Sequence, residues 1–283
     1  MKKFNYFVLV LSFLCLYGKL SAQTKSCCSA IATTEFAMLG SDEKFQTAHL
    51  SPEPFNFVAS KGSDIIFPVD GGKVAYGYLV KPAAASDKYL FIFHEWWGLN
   101  DYIKQEVEKF AIEFPDVNIM AIDLYDRNLA TNAEDAGKLM QNVTKARAES
   151  IIKGAQTYVG PKALIQTLGW CFGGGWSMQA ALLLGKQATG CVIYYGMPEK
   201  DPKALSKLNA PVLGIFATKD DWITKPIVDE FEKQMNALKK PVTITWFDAV
   251  HAFANPSNPK HDENAAAKAR AMAVGFLRGN FNK

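Results

Sequence analysis

The sequence is poor in the features that mark several large classes of protein. It contains five cysteines in 283 residues, which is too few for a fold built on disulfides. It also has no excess charge beyond its first 22 residues. Without Lys2, Lys3 and Lys19, the 31 lysines and arginines fall to 28 and equal the 28 aspartates and glutamates. A basic surface for nucleic acid or for an anionic membrane is therefore not expected.

The apolar run of residues 7–17 is too short for a comfortable membrane span. It follows the basic start Met1-Lys2-Lys3 and precedes the small residues Ser21 and Ala22, which is the pattern of a secretory signal peptide. An uncleaved anchor is the alternative. We predict that residues 1–22 are removed after Ala22 on export to the periplasm or the extracellular space, and that the mature chain does not insert stably into a membrane.

Four cysteines remain after this cleavage. Cys27 and Cys28 are adjacent, so a bridge between them would be strained. They could instead pair with another chain, bind a metal weakly or stay reduced. No metal-ligand spacing surrounds them, and neither a metal nor another cofactor is expected. Cys171 and Cys191 lie in the main part of the chain.

Residues 23–60 form an extension ahead of the main domain, which we place at residues 61–283. Residues 51–54 (Ser-Pro-Glu-Pro) break regular structure, and residues 31–45 show only weak helical periodicity. The extension either lies over the surface of the main domain or forms an ordered arm, and the sequence leaves both open. The same is true of the assembly, for which a monomer or a weak oligomer is expected.

From residue 61 onward, strand patterns alternate with helical patterns. A hairpin is predicted at residues 64–80 around Asp70-Gly71-Gly72. Further strands are predicted at 88–93, 117–122, 163–168, 190–195, 211–217 and 242–247, and helices at 101–114, 131–158 (two), 176–186, 226–238 and 264–277. Right-handed crossovers turn this order into an α/β fold, with a mostly parallel central sheet and helices on both faces.

The stretch Leu168–Gly175 is the centre of this organisation. It reads Leu-Gly-Trp-Cys-Phe-Gly-Gly-Gly between a predicted strand and a predicted helix. This is the nucleophile elbow of α/β-hydrolases, with Cys171 in place of the usual serine. Gly169 and Gly173 leave room for the tight crossing, and a helix N-terminus favours a thiolate. A glycine-rich turn with an incidental buried cysteine is the alternative.

Polar residues follow the predicted strands at the edge where ligands bind in such sheets. They are Glu95, Arg127, Cys171, Asp220 and His251. Nucleophile, acid and histidine occur in the chain order of α/β-hydrolases. Cys171 would attack an acyl carbon, His251 would take and return a proton, and Asp220 would orient the imidazole.

Other residues could fill several of these roles. His49, His94 and His261 compete with His251, but only His251 follows a strand after the acid. Asp220 is favoured over Asp221 by its position directly after Lys219. The backbone amides of Phe172 and Trp96 are the expected oxyanion donors. Arg127 is a candidate substrate ligand, although a surface ion pair is the commoner fate of an arginine. Trp97, Trp222 and Phe253 suggest an aromatic pocket, with core packing as the alternative.

These motifs together resemble the dienelactone hydrolase family, which are cysteine hydrolases of the α/β-hydrolase fold. The matching pieces are residues 94–100 (HEWWGLN), 123–125 (DLY), 169–174 (GWCFGG), 218–220 (TKD) and 251–253 (HAF). The resemblance implies a Cys171-His251-Asp220 triad, and a Glu95 carboxylate that contacts the resting thiol and assists its deprotonation when substrate binds. It also implies that arginines hold a substrate carboxylate. Arg127 matches one of them, but Asn255 stands at the position of the other.

The leading interpretation is an exported carboxylic ester hydrolase that opens a lactone or cleaves a small ester through an acyl-cysteine. The same residues could act on a thioester, sugar ester or peptide-like substrate. A non-catalytic binding module of the same fold is another possibility, and so is a redox role with Cys191 as resolving partner. Only a small-molecule partner is expected.

Overall fold

The computed structural model describes Met1, residues 32–259 and residues 261–282. The predicted signal peptide beyond Met1, together with Cys27 and Cys28, therefore lies outside the described residues. Within the described part, no helix is both long enough and apolar enough to cross a membrane.

The described strands form one sheet. They are β1 (Ser63–Pro68), β2 (Val74–Val80), β3 (Lys88–Phe93), β4 (Asn118–Ile122), β5 (Leu164–Trp170), β6 (Ala188–Tyr194), β7 (Val212–Lys219) and β8 (Val242–Val250). Their order across the sheet is β1-β2-β4-β3-β5-β6-β7-β8. β2 runs antiparallel to β1 and β4, and the other neighbours are parallel. The predicted mostly parallel sheet, with a hairpin at its start, is confirmed.

The helices agree with the predicted pattern from residue 101 onward, with two differences. They are α1 (Ala32–Ala37), α2 (Glu43–Ala48), α3 (Asp101–Glu113), α4 (Ala133–Asn142), α5 (Lys145–Val159), α6 (Phe172–Leu184), α7 (Pro202–Leu205), α8 (Lys225–Ala237) and α9 (Glu263–Phe281). The short α7 was not predicted. α6 begins at Phe172 rather than Trp176, because glycines that weaken a helix by propensity are needed here for close packing.

The middle of the sheet is covered on both faces. Leu90, Phe91, Ile92 and Phe93 in β3 all have 0% exposure. Because successive side chains of a strand point to opposite faces, both faces of β3 must be packed. The edge strands β1 and β8, in contrast, each have exposed positions along their length. The carboxyl ends of the central strands are thus rigidly held by the core, which is what positions the site described below.

The described part of the N-terminal extension, residues 32–60, lies over the surface of the main domain, which is the first of the two alternatives left open by the sequence. Its first two helices end close to the carboxyl edge of the sheet, and the ring centroids of Phe45 and Trp96 are 5.2 Å apart. Asp42 begins α2 by accepting a hydrogen bond from the amide of Phe45 (2.7 Å). We call residues 32–49 the covering segment.

The far end of the extension is tied to α3 by one carboxylate. Glu108 accepts hydrogen bonds from the amides of Ser60 (2.9 Å), Lys61 (2.9 Å) and Gly62 (3.0 Å). The hydroxyl groups of Tyr78 (2.8 Å) and Ser60 donate to it as well. Burial alone would raise the pKa of Glu108, but these donors outweigh it and lower the pKa to about 2. The carboxylate therefore stays ionised, and the anchor holds, at neutral pH.

Candidate active site

Cys171 occupies a strained turn between β5 and α6. Its backbone dihedrals are φ 55° and ψ −120°, a conformation that costs free energy for any residue other than glycine. A Cβ on Gly169 would overlap the carbonyl oxygen of Gly173, and a Cβ on Gly173 would overlap the carbonyl oxygens of Phe93 and His94. Both glycines are therefore required for strand and helix to cross closely enough to present the thiol, as the sequence predicts.

The structure brings Cys171, His251 and Asp220 into one hydrogen-bonded row. His251 Nε2 lies 3.4 Å from Cys171 Sγ, and His251 Nδ1 lies 2.6 Å from Asp220 Oδ2. The other carboxylate oxygen of Asp220 accepts from the amides of Trp222 and Ile223, both at 2.9 Å. Asp220 is thereby fixed in position, and it fixes the imidazole with its Nε2 directed at the thiol.

The charges of this row stabilise one another. Burial disfavours a charged His251, but Asp220 and Cys171 outweigh it and raise the pKa of His251 to about 10. Burial likewise opposes ionisation of Asp220, but the imidazole and the two amides hold its pKa below the usual value. The arrangement can therefore keep a proton on His251 close to the thiol, ready for a leaving group.

The other histidines differ from His251 in their surroundings. His94 is buried, with Nδ1 2.6 Å from the carbonyl of Glu95 and Nε2 accepting from the amide of Leu124 (3.1 Å), so both ring nitrogens are used in holding the loop. His261 is exposed. His49, in the covering segment, has its ring centroid 5.2 Å from that of His251. The position of His49 could not be predicted from the sequence, because the extension carries no recognisable motif.

Glu95 is fully buried beside this row but does not bond to Cys171. Its carboxylate accepts from Ser257 Oγ (2.5 Å) and from the amide of Trp97 (2.7 Å), with Asn100 Nδ2 at 3.5 Å. These donors occupy both oxygens, so the carboxylate–thiol contact implied by the resemblance is not formed in this structure. Burial is the largest influence on Glu95 and raises its pKa to about 7, against the opposing effect of the three donors.

We expect Glu95→Gln to change how stability depends on pH. The pKa of the Glu95 carboxyl group rises from 4.5 to about 7 on folding. Between pH 4.5 and pH 7, Glu95 is therefore protonated in the folded protein but ionised in the unfolded chain. The contribution of Glu95 to the free energy of unfolding should therefore fall by about 3 kcal/mol as pH rises through this window. The variant lacks the titrating group and should gain stability relative to the wild type from pH 4.5 to 8. Urea unfolding at several pH values measures this, and parallel curves for both proteins would contradict it.

The backbone positions match the two predicted oxyanion donors. Phe172 is the first residue of α6, so its amide has no acceptor within the helix, and it directly follows Cys171. Trp96 lies in the loop that begins after β3 ends at Phe93. The neighbouring amide of Trp97 is already used by Glu95, which leaves Trp96 as the better candidate in this loop. The oxyanion role itself stays a prediction.

The predicted aromatic residues lie at different distances from the row. The ring of Trp222 is 5.7 Å from that of His251, so it forms a wall of the site. Trp97 is buried against Trp96 at 4.9 Å, and Phe253 packs on Tyr195 at 5.4 Å. Sequence reasoning did not find Tyr195, whose ring lies 5.2 Å from His251.

Phe36 and Phe45 of the covering segment were also not predicted. Their ring centroids lie 6.3 Å and 6.0 Å from that of His251. With these rings in place, Cys171 has an exposed fraction of 1% and His251 of 6%. The site is closed in this structure, and the residues that close it come from the extension.

Neither of the two positions at which the family has a substrate-binding arginine places a positive charge near the thiol. Arg127 is exposed, with its guanidinium 5.3 Å from the ring centroid of Tyr76. It lines a surface groove whose other residues include none of Cys171, His251 and Asp220. Asn255 is buried, and its side-chain oxygen accepts from the amide of Ser257 (2.9 Å). It therefore supports the residue that bonds to Glu95.

The sheet order and the elbow define an α/β-hydrolase with a cysteine at the nucleophile position. A comparison with protein families narrows this class. Residues 75–281, well over half of the chain, match the dienelactone hydrolase family, and the chain belongs to that family. It is a carboxylic ester hydrolase.

Individual relatives agree with this assignment. A protein of Aquifex aeolicus named as a candidate carboxymethylenebutenolidase is 29% identical over 77% of this chain and 98% of its own length. Carboxymethylenebutenolidase 1 of Cupriavidus pinatubonensis is 26% identical over 73% of this chain and 92% of its own. A solved dienelactone hydrolase-like promiscuous phosphotriesterase from metagenomic libraries has a TM-score of 0.67 at 17% identity, covering 78% of this chain and 99% of that one. At this identity the structural likeness shows the fold alone.

Proposed function

We propose that this protein is an exported hydrolase that cleaves a small ester or opens a lactone through an acyl-cysteine, with Cys171, His251 and Asp220 as a triad. The observation that carries the proposal is the row itself, in which His251 Nε2 is 3.4 Å from the thiol and Nδ1 is 2.6 Å from Asp220. The strained elbow supports it, because such strain is retained where it presents a reacting atom.

The first half of the reaction transfers the acyl group to the enzyme. Cys171 Sγ, with its proton transferred to His251, forms a bond to the carbonyl carbon. The amides of Phe172 and Trp96 stabilise the negative charge on the carbonyl oxygen. When the carbon–oxygen bond of the ester breaks, His251 gives its proton to the departing alkoxide. In a lactone this oxygen stays attached to the acyl group.

The second half releases the acid. A water molecule attacks the thioester carbon, His251 takes a proton from it, and the carbon–sulfur bond breaks to restore the Cys171 thiolate beside the protonated His251. Asp220 holds the imidazole in the tautomer that both halves need. Glu95 would assist deprotonation of the thiol once substrate rearranges its hydrogen bonds, because a carboxyl group with a pKa of about 7 can exchange a proton near neutral pH.

The surroundings favour an uncharged substrate. The apolar rings around the triad include those of Phe45, Trp222 and Tyr195, at centroid distances of 6.0, 5.7 and 5.2 Å from His251. Asn255 replaces a cation, and Arg127 lies outside this ring of side chains. Without an arginine beside the thiol, a substrate carboxylate would be desolvated without the ion-pair partner that the family supplies. We therefore infer a preference for neutral esters or lactones over a lactone that carries a carboxylate.

The experiment that tests this function compares two substrates on the mature chain, residues 23–283. We expect turnover of a neutral short-chain aryl ester with a higher kcat/KM than that of dienelactone. Acid quenching early in the reaction should trap the acyl group on a peptide containing Cys171, detectable by mass spectrometry. Well-folded protein that turns over neither substrate and acquires no acyl group would contradict the mechanism. A preference for dienelactone would contradict only the inference about charge.

A further inference from the structure

Three groups that bind metals well lie together over the elbow. One ring nitrogen each of His49 and His251, together with Cys171 Sγ, all fall within 4.8 Å of one another. All three residues are buried. The mechanism proposed above uses Cys171 and His251, but it gives no task to His49.

His49 is held so that one nitrogen has a free lone pair. It ends α2, and its Nδ1 donates to the carbonyl oxygen of Phe45 at 2.6 Å. Its Nε2 is buried and has no hydrogen-bond partner among the residues that the structure describes. The whole residue is only 7% exposed. A buried polar atom without a partner costs free energy, so its retention calls for a ligand.

His49 also stays uncharged. Burial, and next the positive charge on His251, lower the pKa of His49 to about 3. The form that binds a metal ion is a neutral imidazole with an available lone pair, and the hydrogen bond of Nδ1 to Phe45 leaves Nε2 as the nitrogen that has it.

We propose that His49, Cys171 and His251 form a zinc site through which zinc reversibly inhibits the enzyme and holds the covering segment closed. Thiolate sulfur and imidazole nitrogen are the ligands that zinc prefers. In a tetrahedral site the sulfur and nitrogen ligands lie about 3.5 Å apart. Cys171 and His251, at 3.4 Å, already have this separation. His49 has to approach by on the order of 1 Å, leaving a fourth position for water.

The second hydrogen bond of each histidine supports this assignment. Metal-binding histidines donate their other ring N–H to a carboxylate or a backbone carbonyl, which fixes the ring. His251 does so to Asp220 (2.6 Å) and His49 to the carbonyl of Phe45 (2.6 Å). Sequence spacing could not reveal the site, because its three ligands come from distant parts of the chain. The expectation that the protein has no metal site rested on that spacing alone.

Binding would stop hydrolysis for a direct reason. Zinc takes up the thiolate of Cys171 and the Nε2 lone pair of His251, so neither the nucleophile nor the base remains available. One proton, from the thiol or from the imidazolium, is released to solvent for each zinc bound. The bond to His49 would also tie α2 to the elbow.

The test measures metal binding directly as well as activity, on the mature chain. We expect one zinc ion per protein to bind and inhibit, and a chelator to restore activity. Cobalt in place of zinc should give a thiolate-to-cobalt charge-transfer band that Cys171→Ser abolishes. His49→Ala should weaken zinc binding by about tenfold or more. Magnesium, which prefers oxygen ligands, should have no effect.

Two variants keep the result interpretable. His261→Ala removes an exposed histidine and should leave zinc affinity unchanged. His49→Phe keeps an aromatic ring beside Phe45 but has no lone pair, so it should weaken binding even if His49→Ala disturbs the fold. Equal zinc affinity in the wild type and a well-folded His49 variant would overturn the proposal. So would the absence of a cobalt–thiolate band in the wild type.

Discussion

Replacing Cys171 with alanine is expected to lower kcat/KM for ester hydrolysis on the order of 10⁴-fold or more, because removing a member of a catalytic triad leaves only binding and oxyanion stabilisation. The protein should still fold, because the substitution removes only one sulfur atom and adds no atom that could clash with its neighbours. The measurement is initial-rate hydrolysis of a neutral aryl ester, with circular dichroism to confirm that both proteins are folded.

The matched control is Cys191→Ala. Cys191 is the other free cysteine of the described chain and is fully buried. Burial raises its pKa to about 11, against weaker opposition from Ser177 and Thr167, so it cannot supply a thiolate at neutral pH. Turnover per folded molecule should be unchanged. Loss of turnover in this variant would favour redox cycling between the two cysteines over hydrolysis.

Asp220→Asn is expected to lower kcat by about 10²- to 10⁴-fold while leaving the fold intact. The asparagine amide would donate to His251 Nδ1, so Nε2 would carry the proton and could not accept one from the thiol. The pKa of His251, raised to about 10 largely through Asp220 and Cys171 against the effect of burial, should fall. Titration of the His251 ring protons by NMR, together with kcat, checks both effects.

The adjacent aspartate provides the control for this variant. Asp221 is exposed and pairs with Lys44 at 3.0 Å, an arrangement that contributes little at a protein surface. Asp221→Asn should change kcat less than twofold and leave the titration of His251 unchanged, whereas equal losses in the two variants would contradict the role of Asp220.

The sequence predicted the parts of the site that belong to the sheet. Cys171, Asp220 and His251 follow strands β5, β7 and β8, and parallel strands bring such residues to one edge. The spacing of Gly169 and Gly173 around Cys171 predicted the elbow, and the structure shows the close approach that requires them. These inferences about placement succeeded because each depends on local geometry and on the order of the strands, and the catalytic roles stay predictions.

The covering segment could not be predicted in this way. α1 and α2 are short and lack strong periodicity, so only tertiary contacts could show that His49 and Phe45 reach His251. The hydrogen bonds of Glu95 were also missed, because its partner Ser257 lies far along the chain and follows no strand pattern. For Arg127 the sequence predicted a position near the site that the side chain does not take. The residue follows β4 as the motif requires, but its backbone is left-handed (φ 70°) and its side chain is exposed.

The anchor at Glu108 has a consequence for substrate affinity. A segment tied at one end cannot diffuse away when it lifts from the elbow, so α2 remains as an intramolecular competitor at an effective concentration in the millimolar range. With the site closed as it is in this structure, a substrate would reach Cys171 only in the fraction of molecules in which this competitor is displaced. The apparent KM is therefore the intrinsic value divided by that fraction, and a substitution in the extension changes KM without touching the substrate.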